Sequence, residues 1–301
     1  MANSIGWGEG SINNSIDWGK GASNSVDSWG LIQSQSWSGE TNIVGGGIFA
    51  GLLDTYPNAE AAYSLRNLSS ATIGSPVIRV RRASDNTEQN FTSTEITDGT
   101  LETFCSAANG FVTTWYDQSG NVRNISSAVA SYQPQIVSNG VVYSDNGHPF
   151  VYYNGVNQYG LLVSGLPWGT YWNLWTTYYG YASQVRHCIL NQDGSRAVGI
   201  VQQGSTAVAN LNMGNPSYYK NNALITNTRA NLYNELQIAN YTLVRIENIY
   251  NHIGRIRPHA WDSTQNYWNG ACKTNEFIIY PTSQTEIQGI EDNINAEYSI
   301  Y

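Results

Sequence analysis

From residue 48 onward, the chain is a succession of short β-forming runs interrupted by turn-forming residues. Residues 76–81 alternate apolar and polar side chains at a period of two, and the turn formers Ser84-Asp85-Asn86 follow. Residues 110–116 form a denser β-forming run that stops at the polar segment 117–121. Further such runs lie at 135–137, 150–153, 159–163, 198–201, 242–246 and 276–280. Many short strands with this punctuation predict an all-β sandwich or jelly roll.

One helix is predicted, at the C-terminus. Ser283 and Glu286 have the spacing of a capping box, in which each side chain bonds the other residue's backbone N–H. Apolar residues then recur at steps of three and four, at Ile287, Ile290, Ile294 and Tyr298. This spacing puts one apolar stripe on the helix, which we expect to pack against a sheet.

Residues 1–46 differ from the rest in being rich in Gly, Ser, Asn and Trp. An 11-residue unit that contains Trp-Gly occurs three times, and one unit is too short to bury its own tryptophan. We interpret the segment as an arm that becomes ordered on a partner, and a disordered low-complexity tail is the alternative. The residues predicted to anchor it are Ile5, Trp7, Ile16, Trp18, Val26 and Trp29. The glycines at 45–47 suggest a joint, with residues 47–301 forming the sandwich.

Charge and hydropathy exclude several classes of partner. The net charge is −8 and only 12% of residues are charged. Arg79, Arg81 and Arg82 are the one basic cluster, and strand alternation places Arg82 on the opposite face from the other two, so nucleic-acid binding is not expected. No apolar run is long enough to span a membrane, and the N-terminus has no signal-peptide pattern. We therefore expect synthesis in the cytoplasm without membrane insertion.

Cysteine and histidine spacings show no recognisable metal or disulfide pattern. The three cysteines are Cys105, Cys188 and Cys272, and we expect them to be buried thiols. The four histidines are dispersed, at His148, His187, His252 and His259. The sequence accordingly predicts no metal site and no cofactor.

Three segments resemble the start of the catalytic domain of fungal arabinofuranosidase B. They are residues 52–66, 77–89 and 110–120, and residues 275–295 resemble the end of related modules. The resemblance implies a concanavalin A-like jelly-roll β-sandwich of the lectin and glucanase type. Related modules also occur in tailed-phage virion proteins, so the resemblance is compatible with a structural role as well as with an enzyme.

The distribution of acids argues against hydrolysis. A glycoside hydrolase normally places two carboxylates on either side of the scissile bond. Between Asp145 and Glu235 the chain has one acid, Asp193, in a turn-like context. Asp117 could be functional, but an Asx turn explains it equally well. Asp262 and Glu276 keep hydrolysis open, yet we expect a protein that is not an enzyme.

Aromatic residues concentrate in the middle of the chain, at 166–181 and again at 261–268. Sugar C–H faces stack on aromatic rings while amide and hydroxyl side chains bond the sugar hydroxyls, so these clusters suit glycan binding. The alternative is that the rings fill the sandwich core. The residues predicted to bind glycan are Trp168, Trp172, Tyr179 and Trp268.

Together these features favour a bacteriophage virion structural protein, such as a tail or head fibre. In this interpretation the chain is a homo-oligomer in the virion, residues 1–46 bind other virion proteins, and the sandwich contacts host surface glycan. The alternatives are a capsid-decoration or neck protein with no ligand, and a depolymerase that degrades arabinosides or other polysaccharides.

Overall fold

The computed structural model of the chain describes residues 25–26, 32–33, 43–44, 47–155, 163–180, 186–193, 195–236, 240–251, 254–259 and 271–301. The chain divides into two compact units, residues 1–50 and 51–301. In the first unit, the described backbone forms two short antiparallel hairpins, made by β1 (Ser25–Val26) with β2 (Ile32–Gln33) and by β3 (Ile43–Val44) with β4 (Gly47–Ile48).

Of the residues predicted to anchor the arm, Val26 lies in β1, where its backbone pairs with Ile32. The other five lie outside the described residues, and they are Ile5, Trp7, Ile16, Trp18 and Trp29. Their role, and the boundary at residue 46, stay predictions.

The second unit consists mainly of strands. Its helices are α1 (Leu52–Thr55), α2 (Ser93–Thr97), α3 (Thr100–Cys105), α4 (Arg229–Leu236) and α5 (Ile287–Tyr298), with 3-10 turns at Ser70–Thr72 and Ala130–Tyr132. Its strands are β5 (Ala61–Ser64), β6 (Ile78–Arg82), β7 (Glu88–Phe91), β8 (Gly110–Trp115), β9 (Ile125–Ser126), β10 (Gln135–Ser138), β11 (Val141–Val142), β12 (Ser144–Asp145), β13 (His148–Pro149), β14 (Val151–Tyr153), β15 (Val163–Ser164), β16 (Tyr171–Gly180), β17 (Arg186–Asp193), β18 (Arg196–Gln202), β19 (Asn210–Leu211), β20 (Ser217–Lys220), β21 (Ala223–Ile225), β22 (Thr242–Tyr250), β23 (Arg255–Pro258), β24 (Cys272–Thr274) and β25 (Glu276–Pro281).

Strand β16 organises the larger sheet. One edge of β16 pairs antiparallel with β22, and its other edge pairs first with β25 and then, at Tyr179 and Gly180, with β24. The sheet continues on one side through β22, β20 and β21, and beyond β25 to β5. From β24 it continues through β14, β10, β8, β6 and β7. A separate five-stranded sheet has the order β15-β23-β17-β18-β19.

The two sheets share one hydrophobic core. Ile189 and Val198 from the smaller sheet belong to the same buried cluster as Leu174 and Tyr178 from β16. A second cluster lies on the opposite face of the larger sheet, where Trp175 packs beneath helix α5. This division follows the strand period of two, because Leu174 and Tyr178 point to one face of β16 and Trp175 to the other.

Helix α5 covers the second cluster with the stripe that the sequence predicts, since Ile290 and Ile294 are buried there. The predicted capping box is wrong. The helix begins at Ile287 with Glu286 as its N-cap, and no side chain caps it. Ser283 therefore lies one turn too early to be the cap.

The predicted fold class is confirmed: the protein is an all-β sandwich with a short C-terminal helix. The three cysteines are free and buried, as expected. Within the described residues, no helix has both the length and the apolar character needed to cross a bilayer.

Candidate active site

A polar cleft of about 600 Å³ opens at the end of the larger sheet where β16 finishes and β22 starts. Its lining comes from segments far apart in sequence, namely Asp145, Asn146, Tyr179, Lys220, Asn221, Asn240, Tyr241, Thr242, Lys273, Tyr298, Ser299 and Ile300. The volume falls within the range of small-molecule sites.

Two tight hairpins form part of the rim. Asn146 and Gly147 both have positive φ and join β12 to β13, with Asp145 paired to His148 across the turn. Asn-Gly is the preferred sequence for such a two-residue turn, because both residues tolerate the left-handed conformation. Asn221 and Asn222 make an equivalent turn between β20 and β21. Local sequence therefore fixes where Asp145 and Asn221 enter the cleft.

The central contact of the cleft is an ion pair between Asp145 and Lys273. Lys273 Nζ lies 2.5 Å from Asp145 Oδ2, and it also lies 4.5 Å from the ring centroid of Phe150 and 4.3 Å from that of Tyr179. The Lys273 side chain is 11% exposed, whereas the Asp145 side chain is 35% exposed. The two rings thus hold the Lys273 ammonium group in place. The Asp145 carboxylate that it binds is partly exposed to the cleft.

Aromatic rings and amides complete the lining. The rings of Tyr179 and Tyr241 meet edge to face with centroids 5.6 Å apart. Burial raises the pKa of the Tyr298 hydroxyl well above its ordinary value, with the charge of Glu276 adding to the effect. Tyr298 is therefore a neutral hydroxyl near physiological pH. Rings for stacking together with amide, ammonium and carboxylate groups suit a polyhydroxylated ligand.

Most acids in the segments that carry the family resemblance have structural roles. Asp54 accepts hydrogen bonds from the backbone of Gly51 and Ser70 and from the hydroxyls of Ser69 and Ser70. These bonds lower the pKa of Asp54 although burial opposes them. Asp85 binds Arg82 and Thr87, which hold the pKa of Asp85 well below its usual value. Each carboxylate is thus occupied by local contacts.

Asp117 is also occupied. Its carboxylate accepts from the backbone N–H groups of Ala62, Ser119 and Arg123, and from the Ser119 hydroxyl. It closes an Asx turn and ties that turn to β5, which agrees with the turn interpretation of this residue. Among the described residues that line the cleft, Asp145 is the one carboxylate.

Of the four residues predicted to bind glycan, the three that the structure describes do not lie together. Tyr179 lines the cleft. Trp168 is 76% exposed and precedes Tyr171, the opposite end of β16, which lies about 26 Å from Tyr179 at the rise of an extended strand. Trp172 is 1% exposed and packs in the shared core, so its ring is enclosed by protein. Trp268 lies outside the described residues.

Sequence reasoning missed Asp145 and Lys273 because they are 128 positions apart and meet only through the sheet. A signal was present in Asp145-Asn146-Gly147-His148, whose central Asn-Gly marks a hairpin with Asp145 at its start. The prediction against hydrolysis considered only the acids between Asp145 and Glu235, so neither of those two residues was included.

The family model of the α-L-arabinofuranosidase B catalytic domain matches residues 54–210, more than half of the chain. The chain belongs to this family. The matched range includes Asp145 and Tyr179, and the remaining cleft residues from Lys220 onward lie beyond it. The resemblance to an arabinofuranosidase B-like sandwich is confirmed.

Solved structures give a weaker likeness. The chain is similar to a GH54 α-L-arabinofuranosidase soaked with a cyclic sulfate inhibitor, at 14% identity and a TM-score of 0.47. It is also similar to a mutant of such an enzyme soaked with 4-nitrophenyl α-L-arabinofuranoside, at 14% identity and 0.46, and to an arabinofuranosidase complexed with arabinofuranosyl-α-1,2-xylobiose, at 13% and 0.46. Each alignment covers 79% of this chain and 62% of the other, so the chain spans less than two thirds of their length. No curated protein matches at a significant level.

The family assignment overturns two predictions. The interpretation as a phage virion structural protein is wrong, and so is the expectation that the chain is not an enzyme, because the matched family is a catalytic domain. The prediction rested on the scarcity of acids between Asp145 and Glu235, whereas the carboxylate in the cleft is Asp145 itself. In this fold the cleft is assembled from β12, β16, β20, β22, β24 and the end of α5.

Proposed function

We propose that residues 51–301 form a glycoside hydrolase that acts on α-L-arabinofuranosides and binds the sugar in the cleft around Asp145. The observation that carries the proposal is the partly exposed Asp145 carboxylate, ion-paired to Lys273 within a cleft of sugar-sized volume. The family supports it, because the matched domain is the catalytic domain of an arabinofuranosidase.

Asp145 has the features of a nucleophile or general base. It is partly exposed to the cleft and is held by an ammonium group, and a carboxylate placed in this way can attack an anomeric carbon or accept a proton from water. The flanking rings hold Lys273 in place, so the carboxylate keeps a fixed direction. The rings of Tyr179 and Tyr241 lie in the same cleft, where they can stack on the sugar.

Hydrolysis also needs a general acid to protonate the leaving oxygen. Two acids are candidates. Glu235 adjoins the cleft, because its Oε2 accepts from Nζ of Lys220, a lining residue, at 2.9 Å. To act as the general acid, Glu235 has to leave this ion pair and carry a proton. Asp262 lies outside the described residues, in the segment that leads along the chain to Lys273. Variant kinetics separate the two, since loss of the acid affects substrates with poor leaving groups most.

The test is release of 4-nitrophenol from 4-nitrophenyl α-L-arabinofuranoside by the full chain. We expect Asp145→Asn to lower kcat/KM by about 10²–10⁴-fold, the usual contribution of a catalytic proton-transfer or nucleophilic group. Asp98→Asn is the matched control, since Asp98 is exposed and lies outside the cleft, where its carboxylate accepts from the backbone N–H of Thr100. Wild-type rates in Asp145→Asn would assign the chemistry to another site.

The single carboxylate among the described lining residues favours one other function, sugar binding without hydrolysis. Calorimetry with an arabinose-containing oligosaccharide distinguishes the two. Binding by the wild-type chain without 4-nitrophenol release would overturn the hydrolase proposal and leave a carbohydrate-binding module. Loss of binding in Tyr179→Ala would then still place the ligand in this cleft.

A further inference from the structure

A second cluster of reactive side chains lies inside the sandwich, away from the cleft surface. His187 lies on β17, His259 directly follows β23, and Cys272 begins β24. Strands β17 and β23 are neighbours in the smaller sheet, whereas β24 belongs to the larger one. The cluster therefore connects the two layers of the sandwich, and all three side chains are buried.

We propose that His187, His259 and Cys272 bind a divalent zinc ion that links the two sheets. The ligand atoms, one nitrogen from each imidazole and the sulfur of Cys272, lie within 4.8 Å of one another. In a tetrahedral zinc site with bonds of about 2.0–2.3 Å, ligand atoms are roughly 3.3–3.8 Å apart. A contraction of about 1 Å closes the cluster to bonding distance, which side-chain rotation can supply.

The surroundings position one nitrogen for a ligand. Nε2 of His259 lies 3.4 Å from Thr176 Oγ1, and the backbone N–H of His259 donates to Ile189 at 2.8 Å. Nδ1 of His259 is buried and has no hydrogen-bond partner. Buried polar atoms are normally satisfied, so this nitrogen calls for a bonding partner, and a metal ion supplies one.

The rest of the environment is aromatic. His259 stacks on His187 at 22° with centroids 5.8 Å apart, and it also contacts Tyr153, Tyr178 and Phe277. These contacts hold the His259 ring in a fixed orientation, as the surroundings of a metal-binding imidazole normally do. The Tyr178 hydroxyl is also buried without a hydrogen-bond partner.

The donor set indicates the metal. Two imidazoles and a thiolate suit a borderline-soft ion such as zinc, whereas calcium and magnesium require oxygen ligands. Complete burial of the three side chains fits a structural ion better than a catalytic one, which needs an open coordination position for substrate. This site has no recognisable sequence motif, since neighbouring ligands are 72 and 13 positions apart along the chain.

The test measures zinc binding by the full chain after treatment with a chelator. We expect one zinc ion per chain and a melting temperature higher by about 5–10 °C at a free zinc concentration one hundred times Kd. Cys272→Ala should lose both effects. Cys188→Ala is the matched control, because Cys188 is equally buried but its sulfur contacts the carbonyls of Leu190 and Val198 instead.

Zinc binding by Cys272→Ala with wild-type stoichiometry would overturn the proposal and indicate an adventitious ion only. Absence of binding to the wild-type chain would also overturn it. Should Cys272→Ala fail to fold, cobalt substitution of the wild-type and Cys188→Ala chains gives an independent readout. A thiolate-to-cobalt charge-transfer band in both supports the site, and its absence from both refutes Cys272 as a ligand.

Discussion

The ion pair between Arg66 and Glu276 should be among the most valuable single contacts for stability. Nε of Arg66 lies 2.7 Å from Glu276 Oε2 and Nη2 lies 3.1 Å from Oε1, so the contact is bidentate. Nη2 also donates to Asn293 on helix α5 at 3.0 Å. The guanidinium thereby joins β25 and the segment that follows β5 to the helix that covers the second core cluster.

The magnitude follows from burial. The Glu276 side chain is only 1% exposed. Replacing Arg66 by methionine leaves the carboxylate with two hydroxyl donors, from Ser64 at 2.7 Å and Tyr298 at 3.3 Å, and no cation of comparable geometry. Stranding a buried charge costs about 3–5 kcal/mol, which lowers the melting temperature by roughly 6–20 °C for a unit of this size.

The assay is guanidinium denaturation of the full chain followed by tryptophan fluorescence. Arg79→Met is the matched control, because Arg79 forms an ion pair of similar length with Glu88, at 2.8 Å, on the surface, where both side chains are a third or more exposed. An exposed pair contributes about 0.2–1 kcal/mol. Equal losses of stability in Arg66→Met and Arg79→Met would refute the reasoning.

A double variant sharpens the test. Arg66→Met combined with Glu276→Gln removes both charges, so no buried charge is left without its partner. We expect this chain to be more stable than Arg66→Met alone. If the two losses simply add, the cost arises from lost packing by the arginine and not from the stranded carboxylate.

Two further predictions concern backbone geometry and pH. Gly140 and Gly147 share a φ of +84°, but a Cβ on Gly140 would lie 1.9 Å from the Ser106 carbonyl oxygen, while one on Gly147 would meet nothing within 4 Å. Gly147→Ala should cost about 1–2 kcal/mol of unfolding free energy and Gly140→Ala clearly more, and equal denaturation midpoints would contradict this. Burial raises the pKa of Glu291 although Arg245 opposes the shift, so the folded state holds this proton more tightly than the unfolded chain does. The free energy of unfolding should therefore fall as pH rises from about 4.5 through the raised pKa. Denaturation midpoints measured across this pH range should vary less in Glu291→Gln than in the wild type. The same pH dependence in both chains would refute the prediction.

The layer structure could be predicted from sequence because its cause is local. The alternating run at 76–81 overlaps β6, which begins two residues later, and the run at 110–116 became β8, which ends one residue earlier. The C-terminal stripe became α5, although its start was misplaced by reliance on a capping pattern. Strand and helix periods act over a few residues, so a single segment carries enough information.

The cleft and the buried cluster could not be predicted, because each depends on which strands become neighbours. Asp145 and Lys273 meet only because β14 lies between β10 and β24 and brings the β12–β13 hairpin beside β24. Trp172 and Tyr179 looked equivalent in sequence, yet the first lies in the core and the second in the cleft. Alternation predicts that half of such rings face inward, but not which half.

One strand connects the two sites. In β24, Cys272 pairs with Gly180 and Lys273 pairs with Tyr179, so successive residues of β24 lie opposite successive residues of β16. Because side chains alternate along a strand, Cys272 points into the core towards His259 while Lys273 points to the cleft and Asp145. Residue 180 must be small at this point, since a Cβ on Gly180 would come within 2.8 Å of both the Tyr178 hydroxyl and the Leu236 carbonyl. The position of the cleft ammonium is therefore fixed by how closely β24 packs on β16, and the buried cluster lies on the other face of that same contact.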